Sequence, residues 1–251
     1  MVRKTFDIVS FRQQDIPDWN CPTCILGLLI SNKIVKQECK ESKAGKLLDI
    51  YDGFSQYGYF FMHLECNNPS CNENVFCLGF YYNDLCPTVN GEITETVYIP
   101  KYFYPNLRIL NISNKCPQDI RNLIDISFSL YYSDSSSCAN KIRVVLEHIM
   151  NNLRIKKETI NSKGRIVKIK LHDRILQMKN NKRYGKISDY ILAIKWIGND
   201  GSHDDTIVQN DILDAYEILE RVIEEIYEKK TETLEKKVKK INTKRKPLSK
   251  I

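Results

Sequence analysis

The sequence predicts an α+β protein in which a small N-terminal β module precedes a bundle of about five helices. Residues 21–104 are rich in β-branched and aromatic residues, with turn-forming breaks such as Asn90-Gly91. After Tyr104-Pro105, apolar residues recur at helical spacing instead. Two close cysteine pairs lie within the β-rich part. The predicted boundaries are 1–110 for the β module, 111–228 for the bundle and 229–251 for a basic C-terminal helical extension.

Each predicted element follows from its local periodicity. Strands are expected over residues 26–35, 57–64, 74–82 and 93–103. Helices are expected over residues 120–131, 139–153, 167–178 and 187–197, followed by a long final helix that carries an apolar stripe from 212 to 241. Pro117 suits the first turn of a helix, and the serines at 135–137 are suitable N-caps.

Composition limits the classes of protein that this chain can be. A hydrophobic content of 42% in 251 residues excludes a disordered or collagen-like chain. The longest apolar run, residues 24–30, is too short to cross a bilayer. The N-terminus lacks the apolar segment of a secretory signal. We therefore expect a cytoplasmic protein with no membrane partner.

The net charge of +7 is unevenly distributed along the chain. Residues 141–186 hold 14 basic and 3 acidic residues, whereas residues 187–228 hold 2 basic and 11 acidic residues. The last 23 residues hold 10 basic and 2 acidic residues. The internal basic segment has two interpretations: it binds the phosphates of a nucleic acid, or it faces the acidic segment across the helical bundle. A solvated end is the simpler interpretation of the basic tail.

The two cysteine pairs are the candidate metal ligands. Cys21 and Cys24 form a Cys-x-x-Cys pair, and Cys66 and Cys71 form a second pair 42 residues further on. Four thiolates on short turns beside strands suit a structural, tetrahedral zinc ion, as in a zinc ribbon. The alternative is free buried thiols, because the chain has nine cysteines in all. The odd count and the missing signal disfavour disulfides. Should one ligand differ, Cys77 and His63 are the candidate substitutes.

His203 is the most suggestive candidate for acid–base chemistry. It follows Gly198-Asn199-Asp200-Gly201-Ser202 between two predicted helices, and Asp204 comes directly after it. A histidine beside a carboxylate can hold a definite tautomer and transfer protons near neutral pH. Asn199 lies four residues earlier, so the two share a face on a helical turn. The alternative is a loop in which both side chains cap backbone groups.

The order of these elements resembles domain-of-unknown-function family 4145, a branch of the HEPN superfamily. The resemblance runs from Cys21 to about Tyr227. It depends mainly on the Ala139-x-x-x-Arg143-x-x-Leu146-Glu147 helix and on the Gly198-Asn199-x-x-x-His203 element. It implies a HEPN-like helical bundle that forms a homodimer, in a family that occurs alone and fused to restriction and anti-phage proteins.

In active HEPN members, an Arg-polar-x-x-x-His motif from each protomer cuts RNA at the dimer cleft without a metal. Carried over by position, Asn199 is the polar residue and His203 is the histidine, while the arginine position falls on Gly198. That departure removes the side chain that would hold the scissile phosphate, and Lys195 and Arg143 are the candidate replacements. The resemblance thus implies a defence-associated, metal-independent endoribonuclease with Arg143, Glu147, Lys195, Asn199 and His203 at its site.

Two other functions remain open at this point. One is a non-catalytic regulatory module with a structural zinc site, which binds nucleic acid or a defence-system protein. It is favoured by Gly198 at the arginine position. The other is an assembly subunit whose long C-terminal helix pairs with a second chain.

Overall fold

A computed structural model describes residues 3–47, 56–88, 91–181, 184–200, 207–247 and 249. Its first half contains α1 (Arg3–Phe6), β1 (Phe11–Arg12), β2 (Leu29–Glu38), α2 (Lys40–Leu47), β3 (Tyr57–Cys66), β4 (Asn74–Thr88) and β5 (Gly91–Tyr104). Its second half contains α3 (Gln118–Leu130), α4 (Ser135–Asn152), β6 (Glu158–Ile160), β7 (Ile166–Lys168), α5 (Leu171–Lys179), α6 (Gly185–Asp200), α7 (Gln209–Ile223) and α8 (Lys230–Lys244). The predicted α+β class is confirmed.

The chain forms two compact units. The sheet unit comprises Met1–Ile109, Asp125–Cys138 and Ile207–Leu213, and the helical unit comprises Leu110–Ile124, Ala139–Thr206 and Asp214–Ile251. The sheet unit therefore takes in two segments from beyond residue 110, where the sequence predicts its end.

The sheet unit is built on one antiparallel sheet with the strand order β1-β5-β4-β3-β2. Alternate side chains of β3, among them Phe60, Met62 and Leu64, are buried on one face of this sheet. Aromatic side chains also pack in this core, where the ring centroid of Trp19 lies 5.0 Å from that of Phe103. The indole Nε1 of Trp19 also donates a hydrogen bond of 3.2 Å to the Tyr132 hydroxyl. The α3–α4 junction is thus part of the core of the sheet unit.

The helical unit buries the apolar stripes that periodicity predicts. Ile142, Leu146 and Ile149 of α4 are almost completely buried, as are Ile191 of α6 and Leu219 of α7. Among the described residues, no helix combines the length and the apolar character that crossing a bilayer requires.

Two helices differ from their predictions. The helix expected from residue 167 begins only at Leu171, because 158–168 form the β6–β7 hairpin. The Asn161 side chain accepts bonds from the amides of Lys163 and Arg165, both 3.0 Å long, and so builds the turn. The long final helix is also interrupted, since Lys229 adopts a left-handed conformation with a φ of 54° between α7 and α8.

Replacing Tyr132 with phenylalanine tests the aromatic core. The substitution removes the acceptor of the buried Trp19 N–H, and an unsatisfied buried donor costs about 1–3 kcal/mol. We expect the free energy of unfolding, measured by urea denaturation, to fall by that amount. The matched control is Tyr190→Phe at an exposed position of α6, which should change it by less than about 0.5 kcal/mol. Equal effects of the two substitutions would contradict this account.

Candidate metal centre and basic cleft

The pairing of β2 with β3 brings the two cysteine pairs together. Leu29, at the start of β2, pairs with Cys66, at the end of β3. The turn that holds the first pair is closed by a 2.8 Å bond from the Cys21 amide to the Gly27 carbonyl. The loop that holds the second pair is closed by a 2.9 Å bond from the Cys71 amide to the Asn68 carbonyl. Two tight turns thus lie side by side at one end of the sheet.

The four sulfur atoms have the spacing of a tetrahedral metal site. The Sγ atoms of Cys21, Cys24, Cys66 and Cys71 all lie within 4.8 Å of one another. Those of Cys21 and Cys71 are 3.7 Å apart, and those of Cys24 and Cys66 are 3.6 Å apart. Metal–sulfur bonds of about 2.3 Å in a tetrahedron place neighbouring sulfurs about 3.8 Å apart. The predicted cluster is therefore present, and it could hold a metal ion.

Backbone amides point at these sulfurs, as ligand thiolates require. The amide of Gly27 donates to Cys24 at 3.3 Å, and that of Asn68 donates to Cys66 at 3.4 Å. The Gly27 amide is the main cause of a Cys24 pKa lowered to about 6. Desolvation raises the pKa of Cys66 to about 12 and also raises the pKa of Cys71. A bound cation would offset that desolvation and hold all four sulfurs as thiolates.

Position 27 must be glycine because the Cys66 sulfur lies too close to it for a side chain. A Cβ atom at this position would lie 2.4 Å from the Cys66 sulfur and 3.0 Å from the Asn68 Cβ. Any larger residue would push the two turns apart. The sequence offered no direct signal for this role, because the contact partner lies 39 positions away.

The two candidate substitute ligands lie outside the four-sulfur cluster. The Cys77 thiol is buried, and that burial raises its pKa. The ring of His63 stacks on Phe76, and its Nε2 lies 2.7 Å from the Asn74 side-chain oxygen. The cluster therefore consists of the four cysteines that their spacing predicts.

A second candidate site is a basic cleft of about 790 Å³ in the helical unit. It is bounded by α4, the β6–β7 hairpin, α5 and α6. Six of its lining side chains are cationic and two are carboxylates. The lining residues are Arg143, Glu147, Asn151, Lys157, Glu158, Lys168, Ile169, Lys170, Leu171, His172, Arg174 and Lys195. Three predicted site residues, Arg143, Glu147 and Lys195, are among them.

Arg143 and Lys195 are two of the cations that line this cleft. Within the described part of the chain, neither side chain has a carboxylate oxygen within 4.0 Å. Lys195 is only 8% exposed, and its Nζ lies 3.5 Å from the ring centre of Trp196. Its burial and the nearby charge of Arg143 lower its pKa. Two like charges that line one cleft disfavour each other and so favour the entry of an anion.

Arg174 and His172 supply further nitrogen atoms at the same cleft. Arg174 is 4% exposed, and its Nη2 donates to the Asn151 side chain at 2.7 Å and to the Ile155 carbonyl at 3.1 Å. Its Nε and the buried Nδ1 of His172 have no hydrogen-bond partner among the described residues. Polar atoms of this kind can bond to a ligand or to water in the cleft.

Two predicted site residues, Asn199 and His203, lie at or beyond the limit of the described residues. His203 lies outside the described residues, and Asn199 is within α6 but its side chain is not described. Gly198 is closely packed, because a Cβ there would lie 3.3 Å from both the Ala139 carbonyl oxygen and the Arg143 Cβ. The stem of Arg143 therefore packs over the residue at which the resemblance places an arginine.

The sequence interpretation missed most of the cleft. The hairpin lysines Lys157 and Lys168 and the α5 residues His172 and Arg174 line it, whereas the sequence placed Lys168, His172 and Arg174 on one continuous helix. The only signal was their common membership of the basic segment 141–186. The hairpin turn brings Lys157 and Lys168 towards α4. It therefore determines which charges of the basic segment line the cleft.

Comparison with protein families identifies two matching segments. Residues 126–244 match the family model described as Domain of unknown function (DUF4145). Residues 9–103 match a different one, Domain of unknown function (DUF8608). Searches of curated proteins and of solved structures returned no match. The predicted resemblance to family 4145 is thus confirmed for the helical segment, while the cysteine-bearing segment is similar to another family.

The cysteine cluster makes a prediction about metal content. We expect the purified protein to contain one metal ion per chain by elemental analysis, and Cys24→Ser to lose it because a ligand is missing. The control is Cys86→Ser, since this sulfur accepts a hydrogen bond from Arg12 and lies outside the cluster. Metal retained by Cys24→Ser, or lost equally by Cys86→Ser, would contradict the assignment.

Gly27→Ala provides an independent test of the same geometry. The added methyl group would overlap the Cys66 sulfur, so we expect weaker metal retention during titration with a chelator. Gly91→Ala is the wrong control, because its φ of 120° strains any side chain. Ser70→Ala, in the exposed part of the second loop, is suitable and should retain the metal as the wild type does.

Proposed function

We propose that the protein binds nucleic acid, with RNA as the preferred ligand, through the basic cleft of its helical unit. The observation that carries this proposal is the convergence of six cationic side chains on one cleft with only two carboxylates. A phosphodiester backbone is a row of negative charges at a regular spacing, and proteins bind it through such groups. The alternative interpretation of the basic segment is neutralisation by neighbouring acidic helices. Among the described residues, however, no carboxylate oxygen lies within 4.0 Å of the Arg143 or Lys195 side chain.

Burial strengthens this interaction at Lys195. The Lys195 side chain is largely buried, and its pKa is lowered because it is desolvated and close to Arg143. A phosphate between the two cations would supply the missing negative charge and raise that pKa again. Contacts of this kind are stronger than those of solvated surface lysines.

We propose that the metal ion is zinc and that its role is structural. Four sulfur ligands in a tetrahedron are typical of zinc, and with all four positions filled no site is open for a substrate. The ion would connect the two turns at the end of the β2–β3 pair and so stabilise the sheet unit.

RNA cleavage is a second candidate function, and the packing of Arg143 over Gly198 favours it. We propose that the Arg143 guanidinium takes the place of the arginine that the HEPN motif would carry at position 198. It would hold the scissile phosphate, with Lys195 adding positive charge and Glu147 lining the same cleft. His203 and Asn199 would complete the site at the cleft of a homodimer, in a cytoplasmic protein that acts in anti-phage defence.

In that reaction the ribose 2′-hydroxyl loses its proton and attacks the adjacent phosphorus. The bond from phosphorus to the 5′ oxygen breaks, and that oxygen gains a proton. The products are a 2′,3′-cyclic phosphate and a 5′-hydroxyl end. His203 would transfer a proton, and Arg143 would stabilise the charge of the transition state.

Binding is tested with a fluorescent single-stranded RNA and fluorescence anisotropy at several salt concentrations. We expect affinity to fall steeply with salt, and Lys168→Ala to reduce the salt slope by about 0.7 for the lost phosphate contact. Lys115→Ala, at an exposed position before α3 and outside the cleft, is the control and should leave the slope unchanged. Affinity that does not depend on salt would overturn the proposal and favour a protein partner.

Glu147→Gln separates electrostatic binding from a specific role of the carboxylate. It removes a negative charge from the cleft, so we expect tighter RNA binding. A carboxylate that orients the reactive groups would also be needed for the cleavage rate. In that case Glu147→Gln would cleave RNA more slowly than the wild type. Weaker binding by this variant would contradict the placement of Glu147 beside the bound phosphates.

Cleavage is tested with end-labelled RNA in the presence of a chelator strong enough to remove free metal ions. We expect His203→Ala and Arg143→Ala each to lower the rate by about 100-fold or more, and the wild-type product to end in a cyclic phosphate. His148→Ala is the control, since this histidine contacts Asp119 at 3.1 Å and does not line the cleft. Equal background cleavage by the wild type and His203→Ala would reject the enzyme while leaving the binding proposal intact.

A further inference from the structure

The second face of the five-stranded sheet carries solvent-exposed aromatic side chains. In β3, the residues that alternate with the buried Phe60 and Met62 include Tyr59, which is 57% exposed, and Phe61, which is 43% exposed. An antiparallel sheet with one solvated face normally places polar residues there. This face is instead predominantly aromatic.

Strand register arranges these side chains in rows that cross the sheet. Val35 of β2 pairs with Phe61 of β3, Phe61 with Leu78 of β4, and Leu78 with Tyr102 of β5. The next row contains Lys33, His63, Phe76 and Tyr104, with the ring of Phe76 stacked on those of Phe61 and His63. We call this surface the aromatic face, defined by Val35, Tyr59, Phe61, His63, Phe76, Leu78, Tyr102 and Tyr104.

The exposed apolar area of the aromatic face is large for a monomer. Tyr102 is 56% exposed, Tyr104 is 78% exposed and Leu78 is 47% exposed. With aromatic side chains of about 150–250 Å² each, the face presents on the order of 700 Å² to solvent. The largest apolar patch of a typical monomer is about 300–600 Å². A stable protein interface buries about 800 Å² on each partner, which is close to this area.

Charge argues against nucleic acid or an anionic membrane as the occupant. The three strands that carry most of the face, β3, β4 and β5, contain one lysine, Lys101, and four carboxylates, Glu65, Asp84, Glu92 and Glu95. Surfaces on which bases stack combine aromatic residues with a positively charged groove. No such groove accompanies the described part of these strands.

We infer that the aromatic face is the contact surface for a second copy of this chain, with the two sheets packed face to face. In a two-fold contact each residue meets the same patch on its partner, so charges near the axis would repel each other. The central row of Phe61, Leu78 and Tyr102 contains no charged side chain. Lys33 lies on the edge strand β2 and Glu65 at the end of β3, so neither is close to the centre. None of the residues of the aromatic face lines the basic cleft or belongs to the cysteine cluster.

Sedimentation equilibrium tests this inference at protein concentrations from about 1 to about 100 μM. We expect the wild type to approach twice the chain mass of 29.4 kDa. Leu78→Glu would bury an unpaired carboxylate at the centre of the contact and should weaken association by at least about 100-fold. The matched control is Leu176→Glu, which changes a leucine of α5 with a similar exposure of 46% and should leave the dimer intact.

A second variant distinguishes a weakened contact between chains from a loss of folding. Tyr102→Thr with Tyr104→Thr keeps residues that favour strands, removes apolar area only, and should weaken the dimer by at least tenfold while the circular dichroism spectrum stays unchanged. A wild type that is monomeric throughout, or a dimer that withstands both sets of changes, would overturn the inference. So would a monomer that binds single-stranded oligonucleotides through these residues, because the face would then be a base-stacking surface.

Discussion

The antiparallel pairing of β2 with β3 is the constraint on which the sheet unit depends. It places Leu29 opposite Cys66 and so brings together two turns that are 42 residues apart in sequence. The same register sets which side chains face the core and which form the aromatic face, because a shift of one residue would exchange the two faces. A metal ion bound to the four sulfurs would hold this register at its end. Metal binding, core packing and the composition of the open face are therefore coupled through one strand pair.

The basic cleft depends on a different kind of constraint, the burial of charge. Lys195 and Arg174 are among the few buried charged side chains of the described residues. Burying a cation without a carboxylate partner is unfavourable unless hydrogen bonds, aromatic rings or a ligand compensate for the lost water. Asn151 and the Ile155 carbonyl do so for Arg174, and the ring of Trp196 does so in part for Lys195. The remaining imbalance leaves an excess of positive charge in this cleft, which is the basis of the proposed phosphate binding.

Gly198 bears on both proposed functions of the helical unit, RNA binding without cleavage and RNA cleavage. In sequence it replaces the arginine that the family resemblance implies, which favours loss of activity. In the structure, the stem of Arg143 occupies the space above it, and an arginine side chain at position 198 would compete with Arg143 for that space. The proposed role of Arg143 would thus preserve a site with a side chain from another helix, although the linear motif is lost.

The sequence by itself determined the α+β class, the four cysteines of the cluster, the apolar stripes of α3, α4 and α7, and the similarity of the helical segment to family 4145. These features follow from short-range spacing, since helix periodicity, strand alternation and cysteine turns each involve neighbouring residues. Only the tertiary structure decided that Gly27 must be small, that the β6–β7 hairpin returns its lysines to α4, that Arg143 lies over Gly198, and that one sheet face stays open. Each of these contacts joins residues far apart in the chain, and such contacts are set by strand register and helix packing rather than by local pattern.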